Sequence, residues 1–474
     1  MASTLLELSN LISSSVAIVD ARCRALSRKY PDLANPANAQ EDEALAHDSQ
    51  IAAATSIAVA AAAQLMANMQ DQSRALIETS RGFAVSSAMG AVNESATAEI
   101  IREAGPKGCH INDIAKKNGM DPLKIARFLR LLATLHIFRE VSPDVFAHNR
   151  ISILLDTGKS SQEIFAKPED KYHGAKGIGA LVGLNTDETY KAAAYIQDVV
   201  VNPERAAAEG RGPLAPMNRA YNTEGNFFSL YDRPENLARF KRFGMAMNAD
   251  RMLDPQSSVL KGLNWGALPA GALVVDVGGG VGSTSLEIAR ANPHLRFVVQ
   301  DLASVTLEGK EFWAREYPDA LAGGIVSLQA HSFLNPQPVK DASVFLVRAV
   351  LHNWPDAGAF KILKNLRDAA RPTTQLVVLE RIAPLVCGED AAHAHIPGAV
   401  LPAPPAPLLA NLGVMFPYLM DMQARDPSST SLYPLDGIER TFPHHLKLYK
   451  EAGWEIVHVY RNPGVMDQII AKPI

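Results

Sequence analysis

"VVDVGGGVGSTSLEIA", residues 274–289, joins an apolar run to four glycines and then to a helix-forming stretch. The run VVDV is short and β-branched, as a buried strand is, and the glycines lead into a helical segment. Glycine is required where a backbone turns sharply and lies against a ligand, and the amides that open the next helix attract a negative group. By itself such a turn is only a tight corner between strand and helix. The next strand-like run, RFVVQDL (296–302), gives it meaning, because Asp301 stands at its tip. A carboxylate there can accept both hydroxyls of a ribose, so the two strands are suited to an adenosine-containing cofactor. ASVFLVRAVL (342–351) and TQLVVLERI (374–382) repeat the pattern, with helical stretches between them. Strand alternating with helix predicts an α/β domain with a parallel sheet from about residue 256 to 474.

Upstream the pattern is helical. Residues 99–149 carry Ile111, Ile114 and Ala115, then Ile125, Leu129 and Leu132, at helical spacing, with NGMDP turning between the two segments. IFREV and VFAHN flank a Pro-Asp turn and predict a hairpin. Helix, turn, helix and hairpin describe a winged helix, which raises DNA binding. Lys124, Arg127 and Arg130 are interleaved with Ile125, Phe128, Leu129, Leu131 and Leu132, however, so the surface is built for packing. The 46 basic and 50 acidic residues, net charge −4, supply no electrostatic footprint for nucleic acid or an anionic membrane. IAAATSIAVAAAAQLMANM (51–69) is uncharged and long enough to span a bilayer. It is mostly alanine, and the expectation is a buried helix in a helical or dimer core. The first thirty residues lack a basic leader and read as an amphipathic helix. Three widely spaced cysteines make neither a disulfide framework nor a thiolate metal site, and a cytoplasmic location is expected. Residues 156–255 read as a helical connector after an N-terminal domain over 1–155. PGAVLPAPPAPLLA (397–410) reads as a surface loop. His393 and His395 just before it have too few neighbouring ligands for a metal, and none is expected.

LHNWPD (351–356) places one histidine between an apolar strand and a tryptophan. Such a histidine is ordinarily a core residue, and context has to argue otherwise. The context is a resemblance. GPKGCHINDIA, LVVDVGGGVG, VVQDL, LHNWPD, VVLERI and GIERTFPHHLKLYKEAGW together resemble the S-adenosylmethionine-dependent O-methyltransferases of the plant caffeate and flavonoid type, and in particular their fungal branch. The resemblance runs from about residue 95 to the C-terminus. It implies a Rossmann-like catalytic domain preceded by an all-helical and winged-helix dimerisation domain, hence a homodimer acting on a small hydroxylated molecule. It implies His352 as general base, supported by Glu380 and Glu439. A phenol titrates near 10, so a nearby imidazole assists its deprotonation at neutral pH, and a carboxylate on the other ring nitrogen sets the tautomer.

The same resemblance assigns S-adenosyl-L-methionine to Asp276, Gly278, Gly279, Gly280, Asp301, Leu302, Ser332, Phe333 and Arg348. It assigns the acceptor to Phe228, Met247, Asn353, Trp354, Met415 and Met422, within the apolar stretches NFFSLY, RFGMAMNADR, LHNWPD and NLGVMFPYLMDMQ. Two positions depart from the family pattern. Asn353 stands where the family has Asp, and Ser332 where an acidic residue contacts the adenine. Fungal proteins of this fold include some that bind the cofactor yet perform pericyclic, dehydration or isomerisation steps. That chemistry is the alternative to methylation of a phenolic hydroxyl of a secondary metabolite.

Overall fold

The computed structural model describes residues 3–36, 45, 48–201, 216–223, 230–231, 233–252, 258–385, 387, 391–401, 403–408, 439–461 and 466–474. The chain divides into two compact units, one over Met1–Leu253 and one over Asp254–Pro405 and Leu435–Ile474.

In the first unit, helices Thr4–Ala25 and Ser49–Met69 pack on each other and are joined by the Arg22–Asp48 ion pair at 2.8 Å. Asp48 also caps the second helix, accepting from the amides of Gln50 and Ile51. That helix buries a single stripe, chiefly Ile51, Ala54, Ala61 and Gln64, while Val59, Met66 and Met69 are 59%, 68% and 70% exposed. The expectation of a buried helix is therefore not met within one chain. Alanine lets two helices approach along a narrow line, and the rest of its circumference stays open.

Further along, Asp121 caps helix Pro122–Thr134, which has proline at its first position and buries Ile125, Leu129 and Leu132. Strands β1 (Cys109–His110), β2 (Arg139–Ser142) and β3 (Val145–Ala147) form an antiparallel sheet in the order β1-β3-β2. The Pro-Asp turn between β2 and β3 puts Asp144 at φ +63°. Arg130, one of the three cations on the helix, is bound by Glu140 and Asp144 of that hairpin at 2.7 and 2.6 Å, which leaves less of its charge for a phosphate.

The second unit is built on β4 (Leu273–Val277), β5 (Arg296–Asp301), β6 (Val326–Ala330), β7 (Val344–Arg348), β8 (Gln375–Glu380), β9 (Trp454–Tyr460) and β10 (Asp467–Pro473). Their order is β6-β5-β4-β7-β8-β10-β9, with the first five parallel and β10 antiparallel to both neighbours. The Rossmann-like α/β domain is as expected, and the antiparallel β10 and β9 extend its parallel sheet at one edge. Both faces are covered. Val275, Val277, Phe345, Val347, Leu376 and Val378 meet helices Asp356–Arg367 and Phe442–Glu451 on one side. Val274, Val344, Leu346, Val377 and Leu379 meet helix Ser283–Ala291 and Trp313 on the other. Alternation within continuous apolar runs is what a doubly covered parallel strand requires. The chain runs from β4 through β5 to β6 and then crosses to β7 on the other side of β4. β5 and β7 therefore flank β4 on opposite sides, the switch point at whose C-terminal ends sheets of this kind bind ligands.

Candidate active site

The glycine turn follows β4. Gly278, Gly280 and Gly282 adopt φ of +68°, +60° and +85°, where side chains strain the backbone. Gly279 is needed for a different reason. A Cβ there would lie 2.5 Å from Cγ of Asp276, and one on Gly282 would lie 2.6 Å from the Trp313 indole nitrogen. The turn thus presses main chain against the carboxylate below it. Asp276 is 1% exposed. Its Oδ2 accepts from the Ser285 hydroxyl at 2.6 Å, while Oδ1, buried, has no hydrogen-bond partner among the described residues. Burial pushes this carboxyl up to about 6, helped by the charge of Asp301 and opposed by the Ser285 bond and the Arg348 cation.

Asp301, at the tip of β5, accepts from the Gly280 amide at 2.8 Å through Oδ2 and from the Leu302 amide at 2.7 Å through Oδ1. It braces the turn from the end of β5. Leu302 itself is 61% exposed. Beyond β6, the His331 amide donates to the Asp301 carbonyl, and Ser332 and Phe333 are half-buried. Arg348 ends β7, near enough for its charge to act on Asp276. A buried carboxylate oxygen awaiting a donor, a turn kept free of side chains and a carboxylate at the second strand tip suit a nucleoside carrying an amino group. These residues fit S-adenosylmethionine.

His352 lies in a short turn, Leu351–Asn353, directly after β7. Its Nδ1 is 3.0 Å from Oε1 of Glu439, and the two side chains are 17% and 2% exposed. The segment holding Glu439 is pinned alongside the extension of β8, where the Ala383 amide donates to the Arg440 carbonyl at 3.0 Å. Glu380, at the end of β8, engages the histidine differently from a second ring partner. Its Oε1 accepts from the His352 backbone amide at 2.8 Å. Burial acts against the His352 imidazolium, but the hydrogen bond to Glu439 and the charges of Glu439 and Glu380 outweigh it, and the pKa rises above 6.5. Burial likewise raises the Glu380 carboxyl against the pull of His352 and Arg440.

Asn353 turns its amide back to the Ala349 carbonyl at 3.1 Å. The Trp354 ring stands edge-on to Phe333, with centroids 5.7 Å apart. Met247 is in the first unit, 41% exposed on helix Leu237–Met252. Phe228, Met415 and Met422 lie outside the described residues. Two contributors escaped the sequence reading. Ser285 was announced only by its place three residues after Gly282. Arg440 was announced only by following Glu439.

A model of the O-methyltransferase domain matches residues 205–396. Along the whole chain, an O-methyltransferase of Armillaria gallica is 39% identical, with 97% of this chain and 96% of the relative aligned. The 4-O-methyltransferase 1 of Phanerochaete chrysosporium is 40% identical over 98% and 97%. A solved structure described as a pericyclic reaction enzyme has TM-score 0.62 at 18% identity, covering 92% of this chain and 97% of its own, a likeness of fold alone.

Proposed function

This chain belongs to the S-adenosylmethionine-dependent O-methyltransferase family, and from that premise we propose that it methylates a phenolic hydroxyl of a small secondary metabolite with His352 as general base. The observation that carries the reading is the His352–Glu439 pair. A buried carboxylate on Nδ1 holds the hydrogen on that nitrogen and leaves the Nε2 lone pair for the acceptor.

S-adenosylmethionine, when bound, supplies an electrophilic methyl on a sulfonium. The remaining work belongs to the chain. Asp301 would hold the ribose, the glycine turn would admit the nucleoside without side-chain obstruction, and Asp276 would accept from the cofactor's amino group. As the acceptor oxygen becomes nucleophilic its proton passes to Nε2 of His352, and Glu439 stabilises the resulting imidazolium. Trp354, edge-on to Phe333 beside the His352 turn, offers an apolar surface that suits a flat acceptor. The exposed apolar side chains of helices Thr4–Ala25 and Ser49–Met69 support a homodimer through the N-terminal helical and winged-helix region.

The departures Asn353 and Ser332 favour keeping one rival, a cofactor-bound enzyme that rearranges its substrate without methyl transfer. Incubation with methyl-labelled S-adenosylmethionine and a panel of phenols separates the two. Labelled ether with equimolar S-adenosylhomocysteine is the expected result, and substrate consumed without S-adenosylhomocysteine would reject methylation.

A further inference from the structure

Arg440 is 1% exposed and spreads its guanidinium over three acceptors. Nη1 donates to the Leu351 carbonyl at 3.0 Å, Nη2 to the Trp354 carbonyl at 2.7 Å and Nε to Oδ1 of Asp356 at 3.0 Å. The two carbonyls bracket His352. Within the turn the amides of Asn353 and Trp354 donate to the carbonyls of Val350 and Leu351, the Asn353 side chain reaches the Ala349 carbonyl, and Glu380 accepts from the His352 amide. The Leu351 and Trp354 carbonyls are what Arg440 holds from outside the turn. Asp356 is 53% exposed on its side chain, and its other oxygen accepts from Nε2 of His444 at 2.7 Å. A line of contacts thus leads from surface to base: His444, Asp356, Arg440, then the two carbonyls around His352.

We infer that Arg440 is the positioning residue of this site: its fork over Leu351, Trp354 and Asp356 docks the turn carrying His352 onto the segment carrying Glu439, and the Asp356–His444 pair braces the fork from outside. The inference rests on the reading of His352 as base. Its logic is geometric. Glu439 and Arg440 are consecutive, so one short segment delivers both the carboxylate that sets the ring tautomer and the cation that fixes the ring's backbone. A planar guanidinium offers donors in a rigid fork and can meet three separate acceptors at once. A lysine ammonium is a compact point charge without that planar reach and would leave part of the set unmet. The charged and titratable groups acting on His352 are Glu439, Glu380 and Arg381, and those acting on Glu380 include Arg440. Loss of the fork therefore alters both where the ring stands and what surrounds it.

The test uses the full chain with S-adenosylhomocysteine bound for spectroscopy and S-adenosylmethionine with an accepted phenol for kinetics. Arg440→Lys, Arg440→Ala and Asp356→Asn are compared with wild type and with His352→Ala. For Arg440→Lys kcat should fall about 100-fold, the usual result of displacing a reacting group by roughly 1 Å. Cofactor affinity should be unchanged, and Asp356→Asn should give a smaller fall of the same kind. The ¹⁵N signals of the His352 ring, assigned by their loss in His352→Ala, should change from a single Nδ1-protonated tautomer to a mixture. Added guanidinium ion should restore turnover to Arg440→Ala and not to His352→Ala. An Arg440→Lys protein with wild-type cofactor affinity, kcat and ring signals would overturn the inference, as would a fall in kcat with the ring signals unaltered. Should Arg440→Lys not fold, Asp356→Asn, altered at a half-exposed carboxylate, is read by the same criteria. If His352→Ala turns over like wild type, the base itself is wrong, and the ring spectra still decide whether Arg440 positions it.

Discussion

Replacing Glu439 by Gln keeps the shape of the side chain and removes its charge. In the native site, Oε1 lies 3.0 Å from Nδ1 of a ring that is 17% exposed, and the carboxylate is itself 2% exposed. Hydrogen bonds to a charged partner contribute about 1.5–3 kcal/mol, and one pKa unit corresponds to about 1.4 kcal/mol. Loss of the bond and the charge should therefore lower the His352 pKa. The sign follows from the native state, in which Glu439 and Glu380 hold the pKa above 6.5. Wild-type activity, which needs the neutral ring, should rise with pH only through a value above 6.5, and in Glu439→Gln that limb should move to lower pH. The plateau should fall as well. A glutamine can present its NH₂ to Nδ1, placing the ring hydrogen on Nε2 where a base cannot use it, and such a wrong tautomer costs up to about 10⁴-fold in a comparable triad. The assay is S-adenosylhomocysteine release across pH 5 to 9 at saturating substrates. An unchanged limb with an unchanged plateau would refute the pairing of Glu439 with the base. Stability gives the same sign. A raised histidine pKa stabilises the fold below its unfolded value near 6.5, and that contribution fades as pH rises through the folded pKa.

Asp301→Ala should weaken S-adenosylmethionine binding by about 2–4 kcal/mol in calorimetry, because the ribose acceptor and the brace on the Gly280 and Leu302 amides disappear together. Equal affinities would move the ribose elsewhere. Gly279→Ala should abolish measurable cofactor binding and lower the melting temperature, since its methyl meets Asp276 at 2.5 Å and overpacking of this kind costs about 1–3 kcal/mol. Light scattering at micromolar concentration should report twice the 51.1 kDa chain mass, and a soluble monomer would contradict the homodimer.

The parallel strands were legible because doubly covered strands are continuous apolar runs, and VVDVGGG announces its own turn. The antiparallel edge was not. WEIVHVY and DQIIAKP carry strand-like residues, but their insertion beside β8 depends on pairing across the chain, such as Ile469 with Val378, which no local pattern encodes. The helix at 49–69 was legible only in part, for a related reason. Composition reports that its surface is apolar, not which part of it another helix covers. At the active site, His352 and Glu439 are separated by 87 residues, and it was the resemblance, not spacing, that joined them. Glu380 shows the limit of that transfer. Its bond to the His352 backbone amide, rather than to the ring, depends on where β8 ends relative to the turn after β7. Arg440 was invisible as a function because its partners are mainly carbonyls, and carbonyls belong to every residue.

The central claim is that His352 takes the acceptor proton during methyl transfer. Its most direct measurement is the rate of S-adenosylhomocysteine formation by His352→Ala against wild type, with cofactor affinity measured on the same samples. The rate should fall by about 10²–10⁴-fold, as for loss of a positioned acid–base group, while cofactor affinity stays unchanged. A variant that forms S-adenosylhomocysteine as fast as wild type would contradict the claim.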